Sequence, residues 1–371
     1  MSSAVIETRA PGKLYIAGEY AVVEPGHTAL LVAVNRYLTV RLTPGTADQG
    51  RVISSEYGRA PLVWERDPNG DGIILEHNPY DYVVAAINLM ERLRAELNLE
   101  PRYFDIAIES ELDDKSGRKF GLGSSAAVAV AVIAAIEEFY EMGLSRVERF
   151  KLAMLTTIQV APAASGGDVA TSTFGGWIAY TSPDREALRL RAAVSTVREA
   201  LTASEWDLCK VRRLPHPPGL RLLVGWTGSP ASTERLVTRV KKAEPEFAAS
   251  YATFLDETRA CVADLIAAWE AGDTAGTAEV LAGIRRARLL LQGLGKAAGS
   301  SIETAELEAL CETAERHGGA AKPSGAGGGD CGIVLLGDDA DTAEIFKEWE
   351  LGGIRRLSVS AVAPEGSPEG L

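Results

Sequence analysis

Leu38, Val40 and Leu42 alternate with Thr39 and Arg41, the period-two pattern of a strand with one buried face. Phe104 to Ile108 reads as another strand, ahead of a glycine loop. From Ser124 the chain runs without a breaker through Ala, Val and Ile positions to Met142, and Gly143 supplies a C′ residue, so a helix buried on nearly every side is predicted. Ser145 with Glu148 is a capping box that starts a further helix toward Val160. Pro215, Pro217, Pro218 and Gly219 then form a stretch that cannot continue a helix. Beyond it the pattern predicts a strand from Leu220 to Gly225 and helices between about Thr233 and Leu294, broken at Pro245 and Gly272. A helix near Glu303 to His317, a second glycine-rich loop and a strand from Gly332 to Leu336 follow. This organisation implies a mixed α/β chain of two domains, residues 1–214 and 215–371, with no internal repeat. Pro364 to Leu371, rich in Pro, Gly and Glu, reads as a loose tail.

Charge narrows the function. The 371 residues carry 38 Lys plus Arg against 51 Asp plus Glu, a formal charge of −13, so no overall basic field exists to condense on nucleic acid or anionic lipid. An anionic ligand must therefore be held by a local cluster. The longest apolar run, Ala126 to Ile136, falls short of the roughly 20 residues of a membrane-spanning helix. Glu7 stands where a signal peptide needs a basic region and an unbroken apolar stretch, so a cytoplasmic protein is expected. Cys209, Cys261, Cys311 and Cys331 fit neither a CxxC knuckle nor a disulfide scaffold, and the scattered histidines form no HExxH pattern. A transition-metal enzyme is disfavoured.

Four segments carry candidate chemistry. In Gly121-Leu122-Gly123-Ser124-Ser125-Ala126, glycines run into the first turn of the buried helix, where unpaired N–H groups and the helix dipole favour a phosphate. The serine hydroxyls suit a helix cap, a phosphate oxygen or Mg²⁺ equally. The Rossmann reading fails because Glu137, Glu138 and Glu141 lie inside the same helix rather than at the end of a second strand, and no Walker string occurs. Lys13 sits in an apolar, glycine-bearing strand and turn, Ala10 to Tyr20, where it either snorkels to solvent or points into a cleft. Asp168, among small residues from Ala164 to Gly176, is either a turn residue or the acid that orients an acceptor. Lys322 to Asp330 holds too many glycines for a mere turn and implies close packing against a ligand or another loop.

The order and spacing of Pro11-Gly12-Lys13-Leu14-Tyr15-Ile16-Ala17-Gly18-Glu19-Tyr20, Gly121 to Ala127 and Lys322 to Gly332 resemble the GHMP kinase superfamily from about Arg9 to Leu336. Within it, the wording of Gly18 to Gly26, Lys119 to Ser125, Val224 to Ser232 and Ser324 to Ile333 is most similar to the bacterial phosphomevalonate kinases. The resemblance implies an N-terminal domain like ribosomal protein S5 domain 2, a C-terminal ferredoxin-like domain and a cleft between them. It also implies transfer of the ATP γ-phosphoryl group to 5-phosphomevalonate with Mg²⁺ as cofactor. Lys13 and Asp168 match the catalytic pair. Lys119, Gly121, Leu122, Gly123, Ser124, Ser125 and Ala126 would hold the ATP phosphates, with Ser125 nearest the metal. Lys13, Tyr20, Arg36, Lys119, Ser165, Gly325, Ala326 and Gly327 would meet the acceptor. Partners are expected to be small molecules, without nucleic acid or membrane, and the protein a monomer or homodimer.

One departure from the superfamily is informative. Where many members place a proline and small residues, this chain has Lys115-Ser116-Gly117-Arg118-Lys119-Phe120, so three cations crowd the phosphate loop of an acidic protein. A phosphorylated acceptor brings about −1.5 to −2 charges of its own, and setting it against ATP requires local positive charge. The second pKa of a phosphate monoester is about 6, so most acceptor is already the dianion at neutral pH. A strong general base is then hardly required, and Asp168 is expected to position Lys13 and the acceptor. Rival readings are mevalonate kinase or another GHMP small-molecule kinase, a non-catalytic sensor on the same fold, and a decarboxylase of the diphosphate product.

Overall fold

The fold is described from a computed structural model, which describes residues 5–46, 48–54, 60–67, 72–75, 81–114, 116–228, 245–272, 274–369 and 371. The first half is built on β1 (Ile6–Ala17), β2 (Thr28–Pro44), β3 (Gly50–Ile53), β4 (Leu62–Arg66), β5 (Ile73–Leu75), β6 (Phe104–Ser110), β7 (Trp177–Thr181) and β8 (Lys210–Leu214). They form one sheet in the order β5-β4-β3-β6-β2-β7-β8, with β1 paired to β2 off that path. The long β2 is its spine: it pairs β1 antiparallel along most of its length, β7 with its first residues and β6 with its last. The strand expected around Leu38 to Leu42 is the C-terminal part of β2, with Leu38, Val40 and Leu42 all buried.

Helices α1 (Tyr82–Glu96), α2 (Ser124–Tyr140), α3 (Arg146–Val160), α4 (Gly167–Phe174), α5 (Arg185–Val194) and α6 (Val197–Leu201) accompany this sheet. α2 is the buried helix the sequence implied: of its residues only Glu138 is exposed. Alanines at 126, 127, 129, 131 and 135 let it lie directly on β1 and β2 between α1, α3 and α4. The capping box at Ser145 forms with both of its bonds.

The sheet changes where the proline cluster lies. β8 ends at Leu214 and β9 (Leu220–Trp226) opens a second, antiparallel sheet. Its order is β10-β11-β9-β12, with β10 (Ala320–Pro323), β11 (Cys331–Gly337) and β12 (Arg355–Leu357). Around it are the hairpin of α7 (Pro245–Ala271) and α8 (Thr274–Ala297), then α9 (Ala305–Arg316) and α10 (Ala343–Leu351). The described part of α7 starts at Pro245. The part of the expected helix before it, and Ser229 to Ser232, lie outside the described residues.

The expectation of a loose tail is corrected. Pro364 bridges Gly175, the Glu365 N–H donates to the Phe174 carbonyl at 2.7 Å, and Arg146 pairs with Glu365 at 3.1 Å. The tail thus returns from the second sheet to the first. Composition reports local propensity, whereas Gly175 leaves open a path across its backbone: a Cβ there would lie 2.7 Å from the Ala363 carbonyl oxygen. Among the described residues no helix is long and apolar enough to cross a membrane.

Candidate active site

The phosphate loop is shaped by two left-handed glycines, Gly121 at φ 79° and Gly123 at φ 82°. Leu122 between them is buried in the core, so side-chain packing fixes the loop and leaves its backbone to face the cleft. Gly123 is the N-cap of α2 and makes no side-chain cap, so the first-turn N–H groups are not closed off by the protein's own hydroxyls. β1 supports the loop from below. The Lys13 N–H donates to the Leu122 carbonyl at 2.9 Å, and the Lys13 ammonium donates to the Gly121 carbonyl at 3.0 Å.

Asp168 arrives from the other side, in the first turn of α4. The Ser172 hydroxyl donates to the Pro11 carbonyl at 2.8 Å, which pins α4 to β1 two residues before Lys13. Lys13 and Asp168 make no ion pair but flank the same glycine. A Cβ on Gly123 would lie 2.9 Å from Lys13 Cε and 3.6 Å from Asp168 Cβ. Both side chains therefore stand at the mouth of α2.

Two cavities meet at this point. The larger, about 260 Å³, is lined by Lys119, the loop from Gly121 to Ser125, Ser324 and Asp330. The smaller, about 120 Å³, is lined by Tyr15, Glu19, Tyr20, Val23 and Ser165. Lys13, Asp168, Ala163, Ala164, Gly325 and Ala326 belong to both. A third recess of about 60 Å³, with apolar walls from Leu38, Val83, Ile108 and Val128, opens beside Ser124, Ser125 and Tyr82. The site is an elongated trough with its ammonium and carboxylate at the join.

Hydroxyls from the core set the smaller cavity. Tyr15 and Ser165 share a hydrogen bond of 2.8 Å, and the Tyr20 hydroxyl donates to the Ala326 carbonyl at 2.6 Å. Burial, with the Asp168 and Glu19 carboxylates behind it, pushes the Tyr15 phenol far above its usual range, so it stays a neutral hydroxyl. From the second sheet, Ser324 accepts from the Tyr15 N–H at 2.9 Å and donates to the Tyr15 carbonyl at 3.0 Å. Buried Lys322 pairs with Glu19.

The GHMP kinases N terminal domain matches residues 81–176 and the GHMP kinases C terminal domain matches residues 279–353. A phosphomevalonate kinase from Streptomyces sp. (strain CL190) is 44% identical over 369 residues, covering 96% of each chain. The chain belongs to the GHMP kinase family. It is an ATP-dependent kinase with the two-domain GHMP kinase fold. A solved Streptococcus pneumoniae phosphomevalonate kinase in complex with phosphomevalonate and AMPPNP superposes with a TM-score of 0.81 at 27% identity, over 96% of this chain and 100% of that one. A mevalonate kinase from Archaeoglobus fulgidus is 28% identical over 346 residues, 93% of this chain and 98% of its own.

In this GHMP kinase most of the residues expected at the site do reach it. Lys13, Tyr20, Lys119, Gly121, Leu122, Gly123, Ser124, Ser125, Ser165, Asp168, Gly325 and Ala326 all line a cavity. Ala126 is buried behind the loop. Gly327 packs on the Ile302 carbonyl, 2.1 Å from where its Cβ would be, and serves the loop rather than its face. Arg36 lines neither cavity. It falls in the β1–β2 register shift, where Pro11 faces Tyr37 and Gly12 faces Val34, so Asn35 and Arg36 bulge out of the pairing. Of the three cations, Lys119 lines the larger cavity, Arg118 pairs with Asp114 at 3.0 Å, and Lys115 lies outside the described residues.

The cavities are also lined by residues to which the sequence reading gave no individual role. Asp330, a non-glycine residue at φ 54°, brings a carboxylate from the second sheet onto the phosphate loop. A Cβ on Gly121 would lie 2.7 Å from its Oδ2. Its place at the end of the glycine run was the available signal. Tyr15, Glu19 and Ser324 stand inside the motifs that carry the resemblance, whereas Tyr82 had no mark.

Proposed function

We propose that this kinase transfers the γ-phosphoryl group of ATP to the phosphate of 5-phosphomevalonate, giving 5-diphosphomevalonate and ADP in isoprenoid synthesis. The observation that carries the reading is the join of the two cavities at Lys13 and Asp168. The nucleotide's phosphates lie along Gly121 to Ser125, where backbone N–H groups and the α2 dipole meet negative charge. The base enters the apolar recess beside Tyr82. The acceptor occupies the smaller cavity and presents its phosphate to the join. Its oxygen attacks the γ-phosphorus, and the bond from that phosphorus to the β,γ-bridging oxygen breaks as ADP leaves.

Lys13 stabilises charge on the transferring group, and Lys119 offsets repulsion between the two polyanions. Ser124, Ser125, Asp168 and Asp330 give the larger cavity the oxygen donors that Mg²⁺ prefers. Mg²⁺ commonly binds through one or two protein oxygens together with substrate phosphates and water, and the nucleotide's phosphates would supply that share here. Ser125 is the favoured protein ligand, and the ion would neutralise phosphate charge. In this reading residues 1–214 bind ATP, residues 215–371 complete the cleft, and the protein works in the cytoplasm as a monomer or homodimer.

A coupled ADP-release assay with 5-phosphomevalonate and with mevalonate tests the acceptor. Turnover is expected with the phosphorylated acceptor, and equal or faster turnover of mevalonate would overturn the assignment. Asp168→Asn tests the mechanism. Because the acceptor dianion carries no proton on the attacking group, the activity loss is expected to be the same across pH 5.5 to 8; a loss confined to the acid side, below about pH 6 where the monoanion prevails, would make Asp168 a base.

A further inference from the structure

Arg185, at the start of α5, is 7% exposed and has no carboxylate within ion-pair distance among the described residues. Its guanidinium donates to the carbonyls of Pro162 at 3.1 Å, Ala164 at 2.6 Å and Val23, while its Nε is buried without a partner. Burial lowers its pKa, and Tyr180, Glu24, Tyr15 and Asp184 pull the other way only through their fields. A buried cation without an ion-pair partner is costly. A plain clamp between loops needs donors, not a charge held in this condition.

Where those donors go is informative. Ala164 and Val23 both line the smaller cavity, from opposite loops. Two further carbonyls of cavity-lining residues are engaged in the same way: Ser165 accepts from the Tyr180 hydroxyl at 2.8 Å, and Ala326 accepts from Tyr20. Carbonyl oxygens facing the cavity would repel an anion. Here buried donors engage them, leaving hydroxyls and Lys13 as the polar groups best able to receive negative charge.

We propose that Arg185 is a positioning and specificity residue for the acceptor: it withdraws wall carbonyls from the smaller cavity and places a positive charge with no ion-pair partner behind it, so that the cavity selects an anionic acceptor. The inference rests on the smaller cavity being the acceptor site, as proposed above. The guanidinium acts through Ala164 and Val23 and need not touch the acceptor.

The test compares wild type, Arg185→Met and Arg185→Lys by steady-state kinetics with each substrate varied in turn. Arg185→Met, which keeps the apolar stem and loses the charge and donors, is expected to raise the KM for the acceptor at least tenfold while the KM for ATP stays within twofold. Arg185→Lys, which restores the charge without the fork, is expected to fall between. An acceptor KM within twofold of wild type in Arg185→Met, or acceptor and ATP KM values rising together, overturns the proposal. If Arg185→Met does not fold, Arg185→Lys decides: at least a threefold rise confined to the acceptor supports it, and any other pattern sinks it. Wild-type turnover of 5-phosphomevalonate and mevalonate, measured alongside, tests the acceptor assignment separately, and the variants are compared on whichever of these anions wild type phosphorylates.

Discussion

Lys13 illustrates how burial turns an ordinary side chain into a chemical group. It is 8% exposed, its ammonium holds the Gly121 carbonyl, and the Tyr15 ring lies 5.3 Å from that ammonium. Snorkelling, the commoner fate of a lysine among apolar residues, is closed to it because β1 is buried from Ala10 onward, with Lys13 bonded to the phosphate loop at Leu122 and Tyr15 to Ser324. A charge held in place needs no reorganisation when negative charge moves past it. Lys13→Met is expected to lower kcat by about 10²- to 10³-fold, the range seen when a preorganised donor is removed, with much less change in the KM for ATP. Retention of more than a tenth of wild-type kcat in single-turnover and steady-state assays would remove Lys13 from the reaction.

Helices α2 and α3 share one layer of the fold yet begin in opposite ways, and the contrast separates function from stability. α3 closes its first turn with Ser145 and Glu148. α2 begins on a left-handed glycine with no side-chain cap, which leaves its N–H groups for a ligand. Ser145→Ala is expected to cost about 1 kcal/mol, the usual loss for a cap, read as a shift in the denaturation midpoint with kcat unchanged. Gly123→Ala forces a left-handed alanine, a strain of roughly 1–2 kcal/mol, and drives its methyl toward Lys13 Cε. That variant is expected to lose more than tenfold in kcat/KM. Equal kinetic effects of the two substitutions would mean that the α2 start has no special role.

Across the whole molecule, the cleft is held together by contacts between residues from opposite ends of the chain. Lys322 on β10 is fully buried and pairs with Glu19, just beyond β1, and Ser324 holds both the N–H and the carbonyl of Tyr15. The Cys331 thiol adds a bond to the Phe120 carbonyl at 3.0 Å, joining β11 to the phosphate loop. Breaking a buried pair by removing one member leaves a bare charge, at about 3–5 kcal/mol. Lys322→Met is expected to destabilise the protein by about that amount, and Lys322→Met combined with Glu19→Gln by clearly less. Chemical denaturation of these two variants and of Glu19→Gln checks this; additive losses would show that the two groups act independently.

Elements whose signals are local were legible in the chain itself. The unbroken alanine and valine run of α2, the capping box of α3 and the glycines of the phosphate loop each minimise free energy within a few residues, so spacing alone revealed them. The deficit of basic charge was equally plain, and it required any polyanion to be held by a few placed cations. What spacing could not weigh was register and approach between distant segments. A bulge between Pro11 and Gly12 turns Arg36 out of the expected site, Asp330 reaches the phosphate loop only because the second sheet docks there, and a Pro- and Gly-rich tail pairs because Gly175 leaves it room. Arg185 became visible only from its carbonyl partners on two loops. Such contacts depend on which surfaces meet once the hydrophobic faces are buried, and that is decided by the packed tertiary structure.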